Sequence, residues 1–150
     1  MNIYTHFAFV IENITPAESN WCDSRLALLD EFFAADNFTR ETEFTSLTSI
    51  YPYDHGARPF NFTHGFIHGK PCLNLFSDGE GDPQVLATFL WEFLSLHRPT
   101  ETFTFTYAET TSRPIPGAFA GGAIHITAAA WDEFHVTEWL TQKASLCAAL

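Results

Sequence analysis

Two helix starts divide this chain more firmly than any other feature of its sequence. Thr15-Pro16-Ala17-Glu18 puts a hydroxyl at the N-cap, proline at the first helical position and glutamate at the third. Cap and glutamate can then satisfy each other's backbone amides, which is the capping box. Asp82-Pro83 repeats the device with a carboxylate cap. Each start follows a segment rich in strand formers, so the chain reads as alternating strands and helices rather than as a bundle or a sandwich.

Thr5 to Glu12 reads as the first strand, and Cys22, Leu26, Leu29 and Phe33 mark the buried stripe of the first helix, over 16–35. Asp23, Ala27, Asp30 and Ala34 fall on another face, with Glu31 beside them. Residues 36–58 are polar and rich in Thr and Ser, and read as a long excursion. Phe60 to Phe76 reads as a hairpin turning at Gly69-Lys70. The second helix, over 83–97, carries Leu86, Phe89, Leu90, Phe93 and Leu96 as its stripe. Thr102 to Tyr107 alternates threonine with Phe103, Phe105 and Tyr107, the pattern of a strand with one wet face. A thirteen-residue loop, Glu109 to Gly121, leads to a return strand at Gly122–Thr127. Ala129 to Phe134 reads as a short helix, and Thr137 as the cap of a last helix. The expected fold is a single α+β domain over 1–150. It has an antiparallel sheet of five strands, two helices on one face, a ferredoxin-like βαββαβ core, and a C-terminal hairpin strand and helix.

Sixteen phenylalanines and 46% hydrophobic residues supply a core and exclude a disordered chain. No apolar run reaches the roughly 18–20 residues that span a bilayer, and Met1 to Glu12 has no basic n-region of a signal peptide. Cys22, Cys72 and Cys147 are scattered and odd in number, as in reduced thiols of a cytoplasmic protein and unlike a disulfide framework. The triplets at Asn13, Asn37 and Asn61 are then chance matches to a glycosylation signal.

Seven Lys and Arg against 18 Asp and Glu give a net charge of −11. Residues 1–50 hold eight acids and two bases, net −6. Such a surface is repelled by nucleic acid and by anionic membranes, and suits a basic partner or plain solubility.

The last half of the chain resembles an uncharacterised family of small acidic proteins from phages, plasmids and bacterial accessory regions, over roughly residues 75–140. The resemblance rests on Ser77-Asp78 with Gly79 and Gly81, then Ser112-Arg113-Pro114, Phe119, Gly121-Gly122-Ala123, and Thr137-Glu138-Trp139-Leu140. Ala120 stands where the family pattern has a third glycine, and Ile115 where a basic residue is common. The family brings no activity and no catalytic residues. It implies a mobile-element protein in a bacterial cytoplasm.

Chemistry-bearing constellations are sparse. His64-x3-His68-x3-Cys72 has metal-like spacing only on a helix, and Gly65, Gly69 and Pro71 oppose a helix there. On a strand, residues four apart are about 13 Å apart, too far to share an ion. Asp78, Glu80 and Asp82 alternate as in a calcium loop, but its twelfth position is Phe89 rather than a carboxylate. No nucleophile elbow, phosphate loop or dinucleotide loop occurs. The reading is therefore a non-enzymatic inhibitor of a host defence complex, of the anti-CRISPR or anti-restriction type, needing no cofactor and no metal. Its acidic, nucleic-acid-mimicking face comprises Asp23, Asp30, Glu31, Asp78 and Glu80, with Arg113 as a loop contact. Its partner is a basic protein or nucleoprotein complex, not nucleic acid directly and not a membrane. Two alternatives stand beside it: a small enzyme or metal-binding protein using His55, His64 and His68, and an accessory domain whose acidity serves solubility.

Overall fold

The computed structural model describes residues 3–34, 59–113 and 119–149, without the side chains of 32–34 and 147–149. The expected excursion over 36–58, with His55, lies outside the described residues. The elements are β1 (Ile3–Ile11), α1 (Pro16–Ala34), β2 (Asn61–Ile67), β3 (Lys70–Gly79), α2 (Pro83–His97), β4 (Phe103–Thr111), β5 (Ala120–Ile126), β6 (Trp131–His135) and α3 (Val136–Ala149). The fold is α+β. Its six strands form one antiparallel sheet in the order β2-β3-β1-β4-β5-β6.

Both helix starts form as their chemistry demands. The Thr15 hydroxyl accepts the Glu18 amide at 3.2 Å, and the Glu18 carboxylate accepts the Thr15 amide at 2.8 Å. The Asp82 carboxylate accepts the amides of Gln84 and Val85. The β2–β3 hairpin turns at His68-Gly69 and not at the expected Gly69-Lys70, because Lys70 already pairs with Ile67; both turn residues lie in the left-handed region (φ 51° and 76°), as a two-residue primed turn requires.

Strand alternation sorts the core. Phe7 and Ile11 of β1, Leu73 and Leu75 of β3, Phe105 and Tyr107 of β4, and Ile124 and Ile126 of β5 are buried together with Cys22, Leu26 and Leu29 of α1 and Leu86, Phe89, Leu90 and Phe93 of α2. Trp21 stacks on Phe89 (centroids 5.6 Å apart) and ties the two helices together. Leu96, expected on the α2 stripe, is instead 61% exposed. It lies in the last turn of α2, beside exposed Ser95.

The C-terminal third departs from expectation in three places. Ala129 to Phe134 is no short helix: Trp131–His135 is a sixth strand, paired with β5. The Thr127 amide and hydroxyl both bond the Ala130 carbonyl, and that hydroxyl also accepts the amides of Ala129 and Ala130. This hydroxyl-closed turn defeats the helix preference of three alanines. The expected thirteen-residue loop shrinks because Glu109 pairs with Ala120, so strand pairing runs to the ends of β4 and β5. Residues 114–118 lie outside the described residues. The last helix starts at Val136, which puts His135, and not Thr137, at the cap position.

Candidate functional site

The five acids singled out in the sequence do not share one face. Asp23 lies on the exposed side of α1, where a carboxylate oxygen meets His64 Nε2 of β2 at 2.7 Å. Asp30 and Glu31 follow two turns later on the same helix. Asp78 sits directly opposite His6 on β1. By alternation it belongs to the sheet face away from Leu73, Leu75 and Ser77, hence away from the core that α1 covers. Glu80 is exposed just beyond β3, where it bridges to Thr5. The structure therefore divides the acids into an α1 group and a group at the end of β3. Arg113 is exposed two residues after β4. Glu109, earlier on β4, faces His135 of β6, oxygen to Nε2 at 3.8 Å.

Two arginines have an inward role that the sequence did not reveal. Arg25 of α1 pairs with Glu92 of α2. Arg98, just past α2, donates from Nε to Glu18 Oε2 at 2.8 Å and from Nη2 to Oε1 at 3.1 Å. Its Nη2 also reaches the carbonyls of Glu12 and Asn13, and its guanidinium lies 5.4 Å from the Phe93 ring centroid. Burial pushes the Glu18 carboxyl up, but the Arg98 guanidinium and the Thr15 amide outweigh it and hold it below its ordinary value. With these two pairs set aside, the rest of the chain carries 16 acids and five bases.

A second cluster also escaped the sequence reading. It lies on a row that crosses the sheet from Ser77 through Phe7, Tyr107 and Gly122 to His135. The Tyr107 hydroxyl donates to Glu133 Oε1, and Gln84 Nε2, at the start of α2, reaches both oxygens of that carboxylate at 3.0 and 3.2 Å. Burial and then the Glu133 carboxylate push the Tyr107 phenol up. Gly122 makes room for this: a Cβ there would lie 2.8 Å from the Tyr107 oxygen and 2.2 Å from the Phe134 carbonyl. The Gly121-Gly122 pair was the one available signal, and only the β4–β5–β6 register explains it. Ser77 anchors the opposite end of the row. Its hydroxyl donates to the Thr5 carbonyl and accepts the amides of Gly79 and Gly81, shaping the turn into α2.

The histidine alternative gains little from this geometry. His64 is engaged by Asp23, Cys72 is buried opposite Gly65, and His68 occupies the hairpin turn. Among the described residues no three His, Cys, Asp or Glu side chains converge as a metal site. Cys22 is fully buried, and burial pushes its thiol up to about 12, with Asp23 and Glu18 adding to the shift. That is the character of a packing residue and not of a nucleophile. Cys147 lies in α3, its side chain outside the described residues. No helix among the described residues is long and apolar enough to cross a membrane. Compared with family models, with curated proteins and with solved structures, the chain has no match.

Proposed function

We propose that this protein is a non-enzymatic inhibitor encoded by a mobile element, which binds the basic, nucleic-acid-accepting groove of a host defence complex through acidic surface. The observation that carries this reading is the inward use of Arg25 and Arg98. Both guanidinium groups are tied to carboxylates between α1 and α2, so two of seven cations face inward and 16 acids stand against only five bases elsewhere. On α1, Asp23 and the Asp30–Glu31 pair stand two turns apart, about 11 Å along the helix axis, a row of negative charge that a basic groove could meet. The ferredoxin-like reading of the first six elements belongs to the same proposal. It is supported by the order β2-β3-β1-β4 and by the common core that α1 and α2 share. Both helices would then cover one sheet face, leaving their outer sides available to a partner.

Two acidic groups on different faces make the reading testable. A tagged chain used as bait in a bacterial lysate should retain a nucleic-acid-binding complex, and duplex DNA or RNA should displace the bait. Retention should fall steeply between about 0.05 and about 0.5 M salt, as screening shortens the reach of the charges. Reversal to lysine at Asp23 and Glu31 tests the α1 group, and reversal at Asp78 and Glu80 tests the group at the end of β3. One pair should abolish retention and the other should not. Retention that resists salt, both reversals and nucleic-acid competition would overturn the proposal.

A further inference from the structure

His135 ends β6 and immediately precedes the first residue of α3. It therefore occupies the cap position, and its side chain performs the cap: Nδ1 accepts the backbone amide of Thr137 at 3.3 Å. The other ring nitrogen, Nε2, points to Glu109 Oε1 of β4 at 3.8 Å. A neutral imidazole with its hydrogen on Nε2 serves both contacts at once. A protonated one cannot, because Nδ1 then carries a hydrogen and no longer accepts.

We propose that His135 is a proton-sensitive cap that releases the start of α3 in mild acid. Acidic groups face it from two strands and from α3. Glu109 faces it from β4, and the Tyr107 ring, hydrogen-bonded to Glu133, lies 6.2 Å away. Glu133 stands two residues before it on β6, and Glu138 stands in the first turn of α3. From β5 the register partner is Gly122, which offers no charged group, and from α2 Gln84 reaches the cluster only through Glu133. A proton on the ring would sit among three carboxylates, those of Glu109, Glu133 and Glu138. The cost falls on α3: its first turn loses an acceptor for a free amide and gains a cation at the positive end of the helix dipole.

The rest of α3 offers little to hold that turn in place. Residues 137–146 are exposed throughout, and Trp139 and Leu140 remain 44% and 55% exposed. A helix docked this lightly depends on its cap, since short helices are marginal without packing. The consequence is a C-terminal helix whose apolar side chains change position with pH while the sheet stays intact.

The test uses the full chain labelled with nitrogen-15, followed from about pH 8 to about pH 5. The Thr137 amide should move, and the order of the amides from Thr137 to Leu140 should fall, with the same midpoint as the His135 ring signals. H135N keeps a side-chain acceptor that does not titrate, so its first turn should stay ordered over the whole range. H135A should show a frayed first turn at both ends of the range. Unchanged dispersion of the β1–β5 amides reports that each variant is folded. A first turn that keeps its order in the parent protein, or that frays identically in H135N, would overturn the proposal.

Discussion

Arg98 grips Glu18 with two parallel donors, at 2.8 and 3.1 Å, and so joins the end of α2 to the first turn of α1. The same carboxylate closes the capping box on Thr15. One acid therefore serves a cap and an interhelical pair together, and both are lost if the Glu18 carboxylate is removed.

Arg98→Ala leaves Glu18 buried without its cation and should cost about 3 kcal/mol, read from urea unfolding. Arg98→Lys retains the charge but not the paired geometry, and should recover only part of that loss. The pH dependence has a definite sign. Because the folded state holds Glu18 below its ordinary value, this contribution is present above about pH 4.3 and fades as acid protonates the folded carboxylate. Glu18→Gln should lower stability at neutral pH and flatten that acid dependence.

Gly122→Ala should cost about 2–3 kcal/mol. The new methyl would stand 2.2 Å from the Phe134 carbonyl, a backbone atom that cannot step aside without opening the β5–β6 ladder. Thermal unfolding followed by circular dichroism would read the loss, and amide exchange should rise first in β6.

Tyr107→Phe removes the donor to Glu133 and should cost about 1 kcal/mol, since Gln84 still satisfies the carboxylate. The phenol of Tyr107 is pushed up, so the folded state keeps its proton when unfolded tyrosine ionises. Stability contributed by this group is full below about pH 10 and declines as alkali rises through its folded value. The phenylalanine variant should lose that alkaline decline, visible in unfolding curves taken at increasing pH.

Cys22 should resist alkylation in the native protein at mildly alkaline pH and react on unfolding. Its thiol is fully buried and burial raises it to about 12, so the thiolate fraction is negligible. Mass spectrometry of peptides after iodoacetamide pulses with and without denaturant would decide it. Rapid native labelling would mean that α1 opens locally from the core.

Local chemistry was legible at the first two helix starts, at the β2–β3 hairpin and along β4. The caps at Thr15 and Asp82, the β2–β3 hairpin and the alternation of Phe103, Phe105 and Tyr107 all follow from neighbours within a few positions. β6 was not legible, because three alanines before Trp131 favour a helix and only the Thr127 turn and the β5 edge override them. The site residues fared as their partners did. Asp23 and Asp78 look alike in the sequence, yet lie on opposite sides of the sheet, because one rides on α1 and the other alternates outward from β3.

What the sequence determined by itself is therefore the order of the elements as far as β5, the excess of acid and the absence of a nucleotide-binding or nucleophile motif, all properties of short windows or of composition. Only the tertiary structure decided that Arg25 and Arg98 face inward, that Glu133 receives Tyr107 and Gln84, and that His135 both caps α3 and faces Glu109. Those partners are separated by up to 80 residues, as in Glu18 and Arg98. Their meeting depends on strand register and helix packing, which burial of the whole core selects and no local pattern encodes.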